Sequence, residues 1–315
     1  IEGEMGRDEF DRFLSFVRTI YVKDKAREGL LKEFDERIYG AKPPLLTLGS
    51  ATFKVVQDYK TAYDEAILFN PLPSGLGNEY RNLIAVMQRT LPATDWIPAV
   101  LQWYRKFKTN ELLTFLRKLD NKFSADWILQ LTPTQRIQNM NDVLKKIEQS
   151  DSPAEVLATS PSNDLDALLN PGVFDYDKKA LIDVLRTDIY SRRFAKYVLL
   201  RLEYQYFNHS SVLNLPDELS VEHILPQAPA VTSQWVANFT GPDRLLWLHK
   251  LGNLMMLSRR KNASLGNLDF ADKKRRYFEK NVETLPNSVR VLSLPAFTTA
   301  AVQNRHDELL AKLEA

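Results

Sequence analysis

The helical spacing of apolar residues is the feature that most constrains the fold of this chain. Apolar side chains recur at intervals of three and four positions, as at Phe13, Val17 and Ile20, and this spacing places them on one face of a helix. The chain is therefore predicted to be mainly α. The spacing predicts helices over 8–22, 25–39, 50–69, 76–90, 96–107, 109–118, 133–149, 177–206, 233–249, 268–280 and 302–314.

The region after Pro216 departs from this pattern. Residues 219–224 and the apolar run 254–257 are short enough to be strands. Polar and proline-rich residues also interrupt the chain near 150–175, where a domain could end. We expect a helical domain over 1–207, with 150–175 as an alternative boundary, a small mixed domain over 208–280 and a helical extension over 281–315.

Composition excludes several kinds of site. The 315 residues include no cysteine, which excludes disulfides, cysteine-bound zinc and thiol nucleophiles. A chain without cysteine suits the cytosol, so we expect a cytoplasmic protein. No apolar run has the length of a membrane span and no signal peptide is visible, so we expect no membrane partner.

Charge is concentrated in one region. The net charge of the chain is +2, but residues 259–280 carry eight basic and three acidic side chains. A local excess of this kind can neutralise several phosphates and make binding depend on salt. The sequence therefore favours a nucleic-acid partner at this region.

An acid–histidine pair followed by two asparagines is the strongest candidate site. Glu222 and His223 lie in the first predicted strand, Asn253 precedes the second strand, and Asn262 follows it. A carboxylate and an amide oxygen can hold a hard cation such as Mg²⁺, and a neutral imidazole can take a proton from water. These residues match the needs of a phosphodiesterase that uses one metal ion.

The order of these residues resembles the C-terminal HNH nuclease domain of GmrSD-type restriction enzymes. That family includes modification-dependent and phosphorothioation-sensing DNA restriction proteins of bacteria. The run 185–203 resembles the helix that precedes the domain. Over roughly 216–280, the resemblance is carried by Glu222-His223-Ile224-Leu225-Pro226-Gln227, Trp235, Leu251-Gly252-Asn253-Leu254, Leu257, Lys261-Asn262, Phe270 and Lys273-Lys274.

The resemblance implies a ββα-metal nuclease unit over 208–280 that cuts DNA in bacterial restriction and anti-phage defence. In this scheme His223 is the general base, Glu222 and Asn262 hold the metal, and Asn253 orients the base. An asparagine as the last ligand gives an all-oxygen site, which favours Mg²⁺ or Mn²⁺ over Zn²⁺. Lys261, Lys273, Lys274 and Arg275 would contact DNA phosphates, while Gln227 would orient the loop and Asn267 could replace Asn262.

The resemblance also implies partners. Proteins of this family often carry an N-terminal nucleotide-hydrolysing domain, and this sequence contains no glycine-rich phosphate loop. We therefore expect such a domain elsewhere in a longer protein or on a separate subunit. The DNA substrate could carry a modification.

Two other functions remain open from the sequence. Arg244 and His249 have the spacing of a helical HEPN-type ribonuclease, which needs both on one helix. The segment Trp103-Tyr104-Arg105-Lys106-Phe107-Lys108 alternates aromatic and basic residues, as single-strand binders do. It suggests instead a non-catalytic nucleic-acid-binding or sensor module of a defence complex.

Overall fold

The computed structural model describes residues 6–158, 171–279 and 285–314, and these are mainly helical, as predicted. The chain forms two compact units. Unit 1 is Ile1–Ile84 with Pro92–Tyr176, and unit 2 is Ala85–Leu91 with Asp177–Ala315. The domain boundaries expected from the sequence stay predictions. None of the helices in the described ranges is long and apolar enough to cross a membrane.

Unit 1 is built around the helix Ile97–Phe107, which contacts four other helices of the unit. Its residues Val100, Leu101 and Trp103 are fully buried, because neighbours cover the helix on several sides. The helices are α1 Arg7–Val22, α2 Leu30–Glu33, α3 Ser50–Tyr63, α4 Asn78–Thr90 (ending in unit 2), α5 Ile97–Phe107, α6 Leu112–Ile128, α7 Pro133–Gln149 and α8 Pro153–Leu157, with π-helical turns at Phe34–Tyr39 and Asp64–Leu68.

Unit 2 combines helices with two strands. Its apolar core contains Trp235, Phe239, Trp247, Phe270 and Tyr277. The elements are α9 Lys178–Leu185, α10 Ala195–Tyr206, β1 Leu219–His223, α11 Gln234–Asn238, α12 Gly241–Trp247, β2 Leu254–Ser258, α13 Arg259–Leu265, α14 Phe270–Glu279, α15 Pro286–Leu292 and α16 Thr299–Glu314, with a 3₁₀ turn at Leu251–Asn253.

The strands β1 and β2 form an antiparallel pair in which Glu222 lies opposite Met255 and His223 opposite Leu254. The residues from Leu254 to Leu257 are all fully buried. Helices α10 and α13 both contact the pair, which explains why β2 is apolar on both of its faces. The predicted strands at 219–224 and 254–257 are therefore present, and β1 carries Glu222 and His223 at its end.

The prediction of a single helix over 177–206 is wrong at its centre, because the helix is interrupted between α9 and α10. No proline or glycine lies between 186 and 194. The break is instead held from outside: the N–H groups of Ile189 and Tyr190 donate to the carbonyl oxygen of His249 at 3.0 and 3.3 Å, and Asp188 forms a β-bridge with Lys250. Tertiary hydrogen bonds therefore replace helical ones, and they bring Tyr190 towards the end of β1.

The helix predicted over 233–249 is likewise two helices, α11 and α12. Thr240 begins α12 with a capping box: its hydroxyl accepts the N–H of Asp243 at 3.2 Å, and the Asp243 carboxylate accepts the N–H of Thr240 at 3.2 Å. Pro242 lies in the first turn, where its missing N–H costs nothing. The helix ends at Trp247, so His249 lies beyond it.

Candidate functional site

His223 lies at the end of β1 among aromatic and polar side chains of unit 2. Its Nε2 is 3.2 Å from Nδ1 of His249, and its Nδ1 is 3.1 Å from the amide nitrogen of Gln227. The Tyr190 ring lies 4.1 Å from the His223 ring, centroid to centroid. Burial, and then the nearby His249 and Lys273, lower the pKa of His223 to about 4. The imidazole is therefore neutral at pH 7.

Glu222 is buried with Lys273. The carboxylate oxygen Oε1 of Glu222 lies 2.5 Å from Nζ of Lys273, and the same ammonium donates to the carbonyl oxygen of His223 at 2.7 Å. Burial raises the pKa of Glu222, although Lys273 and the N–H of His223 oppose this shift. Burial lowers the pKa of Lys273, and Glu222 opposes it. Lys273 thus neutralises Glu222 and fixes the backbone that carries His223.

Asn253 joins the chain segments around His223. Its side-chain oxygen accepts the N–H of Leu225 at 2.7 Å, and its amide donates to the carbonyl oxygens of Leu225 and Leu248 at 3.0 and 2.8 Å. Its own carbonyl oxygen accepts the N–H of Ile224. Asn253 is 0% exposed, so in this structure it holds the loop rather than facing a substrate. Its orienting effect on His223 stays a prediction.

Asn262 is tied to the same strand as Glu222. The hydroxyl of Ser258 caps α13 by accepting the N–H of Lys261 at 3.1 Å, which places Asn262 in the first turn. The Asn262 amide donates to Oγ of Ser220 at 2.7 Å and to the carbonyl oxygen of Val221 at 3.2 Å. Side chains two positions apart share a face of a strand. Asn262 therefore contacts the face of β1 that also carries Glu222.

The oxygen donors of this face suit a hard cation in their chemistry. Mg²⁺ keeps several waters and takes only one or two protein carboxylates, so Glu222 with the amide oxygen of Asn262 is an adequate donor set. Among the described residues, no group of three or more histidine, aspartate and glutamate side chains is placed to hold a metal ion. Any such ion would have to share Glu222 with Lys273.

The predicted phosphate contacts occupy different environments. Lys261 and Lys273 are buried, and Nζ of Lys261 donates to the carbonyl oxygen of Tyr277 at 3.1 Å. Lys274 is half-buried and donates to the carbonyl oxygen of Leu294 at 2.7 Å. Arg275 is exposed beside Asp272. These three lysines make packing contacts in this structure and Arg275 is exposed, and the phosphate contacts expected of all four residues stay predictions.

The remaining predicted site residues are exposed. Gln227 is exposed and contacts His223, as described above. Asn267 lies exposed in the turn between α13 and α14. Lys280, which contributes to the basic region in the sequence, lies outside the described residues.

The geometry brings two residues to this site that the sequence did not assign to it. Tyr190 lies in the run 185–203 that resembles the helix before the domain, and the sequence suggests for His249 only a ribonuclease role beside Arg244. A HEPN pair needs both residues on one helix, but α12 ends before His249. His249 instead faces His223. The only sequence signal for this placement is the position of His249 just before Leu251-Gly252-Asn253.

The aromatic and basic segment of α5 does not present a stacking surface. Trp103 and Tyr104 are buried, and the Trp103 ring stacks on Phe115 with centroids 4.2 Å apart. These aromatic rings form part of the core of unit 1. The structure therefore offers no support for single-strand binding by this segment.

Residues 174–312 match the sequence profile of the C-terminal domain of GmrSD restriction endonucleases. The match confirms the resemblance and extends it to residue 174 upstream and to residue 312 downstream. It covers α9, α10, both strands and all of the site residues described above. A comparison with curated proteins finds no match to this chain.

Proposed function

We propose that unit 2 is a metal-dependent DNA endonuclease of the HNH type, and that β1, β2 and the helix after them are its ββα unit. The observation that carries the proposal is the position of a buried His223 beside Glu222, with Asn262 bound to the same strand. These residues lie within the region that matches restriction endonucleases. Acid, base and amide are the groups that phosphodiester hydrolysis requires.

His223 acts as the general base in this proposal. A neutral imidazole has one nitrogen lone pair, which can take a proton from a water molecule as that water attacks phosphorus. The neighbouring ammonium of Lys273 disfavours a lasting positive charge on the ring. His223 would therefore release the proton readily after each turnover.

Glu222 and Asn262 would hold the divalent cation, with Mg²⁺ or Mn²⁺ as the ions best suited to oxygen donors. When bound, the cation supplies positive charge for the phosphate and the leaving oxygen. Asn253 keeps the loop after β1 closed through its three side-chain hydrogen bonds to Leu225 and Leu248. Arg275 provides an exposed cation for the DNA backbone.

The biological setting proposed for this activity is bacterial restriction of foreign DNA, including phage DNA. The chain would be the cutting part of a larger protein or complex. A nucleotide-hydrolysing or sensing partner would then select the DNA and any modification on it. The restriction role is supported by the description of the matched family, and the bacterial, anti-phage and partner parts of this setting follow from the resemblance of the sequence.

Conversion of supercoiled plasmid in Mg²⁺ or Mn²⁺ tests the proposal. We expect wild type to nick or linearise the plasmid, and His223→Ala to be slower by about 10²- to 10⁴-fold, because loss of a general base has effects of that size. DNA affinity should stay within about twofold, since His223 is buried and makes few contacts with a phosphate backbone. His209→Ala is the matched control, because His209 packs on Tyr204 and Phe207, neither of which belongs to the proposed site.

Equal rates for wild type and His223→Ala would contradict the assignment of the base. A salt-sensitive gel shift without cutting by either protein would favour a binding module. Loss of activity in His209→Ala as well would indicate a general loss of folding.

A further inference from the structure

We propose that His249 is a positioning residue that holds His223 in the tautomer with its hydrogen on Nε2, so that Nδ1 is the atom that accepts the proton. The inference rests on the proposed function of His223 as a base and deepens it by naming the reacting atom. It follows from the contacts at the two ring nitrogens of His223.

Only one hydrogen atom can lie between the two ring nitrogens by which His223 and His249 face each other. Nε2 of His223 and Nδ1 of His249 are 3.2 Å apart, which is hydrogen-bond distance. One of these nitrogens must donate and the other must accept. If His249 accepts at Nδ1, then His223 carries its hydrogen on Nε2 and its Nδ1 has a free lone pair.

The contact at Nδ1 of His223 indicates that His223 is the donor and His249 the acceptor. The amide nitrogen of Gln227 lies 3.1 Å from Nδ1 of His223, and an amide nitrogen can only donate. In this orientation Nδ1 is an acceptor. The ring hydrogen of His223 is therefore on Nε2, and Nδ1 of His249 is the acceptor that it meets.

His249 is held firmly by its neighbours. Its carbonyl oxygen accepts the N–H groups of Ile189 and Tyr190, and its ring stacks on the Tyr190 ring with centroids 5.4 Å apart and planes 17° from parallel. The same Tyr190 ring contacts His223. The break between α9 and α10 therefore fixes both histidines, whereas Gln227 lies on the exposed side and can turn away.

This arrangement gives Nδ1 access to water. When Gln227 turns, a water molecule can donate its O–H to Nδ1 of His223. The O–H bond breaks as an N–H bond forms, the water oxygen bonds to phosphorus, and the bond from phosphorus to the leaving oxygen breaks. The hydrogen on Nε2 of His223 stays hydrogen-bonded to Nδ1 of His249 throughout, as in other base–orienter pairs.

Nitrogen NMR of the full ¹⁵N-labelled chain tests the tautomer directly. We expect His223 at pH 7 to show a protonated Nε2 and an unprotonated Nδ1, with its signals identified by their absence in His223→Gln. His249→Phe keeps a ring against Tyr190 but removes the acceptor, so the tautomer preference should weaken or reverse. His249→Asn restores an oxygen acceptor and should retain the wild-type pattern.

Cleavage kinetics provide the second readout. We expect His249→Phe to lower kcat by about 10- to 100-fold with KM nearly unchanged, as for other residues that orient a functional side chain, and His249→Asn to recover most of this loss. A wild-type His223 protonated on Nδ1, or the same tautomer in His249→Phe, would overturn the inference. A wild type that shows the expected tautomer but never cuts DNA would instead contradict the proposed function.

Discussion

Lys273 shows how burial changes what a charged residue does. The basic run of α14 suggests a phosphate contact, yet the Lys273 side chain is 0% exposed and its ammonium is shared between Glu222 and the carbonyl oxygen of His223. Two charges can be buried together because each satisfies the other, whereas one left alone is costly. Lys273 is therefore a structural cation of the site.

We expect Lys273→Met to lower the free energy of unfolding by about 3 kcal/mol, because it leaves the buried Glu222 carboxylate without its partner. Urea unfolding measures this change. Combining it with Glu222→Gln should recover much of the loss, since the buried charge is then removed as well. Arg275→Met is the control and should change stability by less than about 0.5 kcal/mol, as is usual for an exposed pair.

Wild-type stability of Lys273→Met would instead favour the phosphate contact that the sequence predicts for Lys273. If Lys273→Met kept wild-type stability but weakened the salt dependence of DNA binding, Lys273 would be a phosphate contact and its buried position would not persist in solution. Stability and salt dependence thus distinguish the two roles.

The spacing of residues along the sequence identified some of the site residues, but not those that come from distant parts of the chain. Glu222 and His223 are adjacent, and the asparagines follow at the spacing of a known family, so the sequence identified them together. The pairing of Glu222 with Lys273 spans 51 positions and that of His223 with His249 spans 26. Such pairings depend on how α14 and the end of α12 pack, which apolar spacing does not specify.

Helices and strands were predictable where local preferences and packing agree. The spacing of apolar residues gave α1, α5 and α7 nearly to their ends, and the short apolar runs gave β1 and β2. The break after α9 was missed because Leu185 to Ala195 contains no helix-breaking residue. Its N–H groups are satisfied by His249 instead, and a competing tertiary bond of this kind overrides a weak local propensity.

The 3₁₀ turn Leu251–Asn253 approaches α16 closely at Gly252. A Cβ atom added at Gly252 would lie 2.5 Å from the carbonyl oxygen of Val302 and 2.7 Å from Cβ of His306. Two hydrogen bonds from Arg305 to the carbonyl oxygens of Leu251 and Gly252, at 3.1 and 2.9 Å, hold the turn in place. The turn can therefore move away only by breaking buried hydrogen bonds.

We expect Gly252→Ala to destabilise the protein by about 2 kcal/mol, within the usual range for overpacking of a buried site. It should also slow plasmid cleavage, because a shift of the turn displaces Asn253. Gly241→Ala is the matched control, since no atom lies within 4 Å of its added Cβ. Thermal unfolding and the plasmid assay measure the two effects, and equal behaviour of the variants would show that the turn can adapt.

At the scale of the molecule, buried titratable groups of unit 2 act on stability in opposite directions with pH. Burial lowers the pKa of His306 to about 4 from 6.5, so its stabilising contribution is lost as pH falls from 6.5 towards 4. Burial raises the pKa of Glu203 to about 8 from 4.5, against hydrogen bonds from Asn287 and Ser288. Its contribution is lost as pH rises from 4.5 towards 8.

These contributions oppose each other between pH 5 and pH 7, where His223, whose pKa is also lowered to about 4, acts in the same direction as His306. Substitutions at His306 and Glu203 should reveal the two slopes. In the wild-type structure the N–H of Gly252 donates to Nδ1 of His306 at 3.2 Å. His306→Asn keeps an acceptor for this N–H, but the asparagine side chain does not titrate. We expect it to remove roughly 1 to 2 kcal/mol of the loss that His306 causes on acidification from pH 7 to pH 5, since one pKa unit corresponds to about 1.4 kcal/mol.

Glu203→Gln should change the pH dependence of stability in the direction opposite to that of His306→Asn. Without a carboxyl that is protonated only in the folded state, stability should rise more steeply from pH 5 to pH 7 than in wild type, whatever the variant's absolute stability. Urea unfolding at both pH values measures each slope. An unchanged slope in either variant would mean that the replaced group ionises in the folded protein as it does in water, and slopes that shift in the same direction would mean that one of the two pKa shifts has the opposite sign.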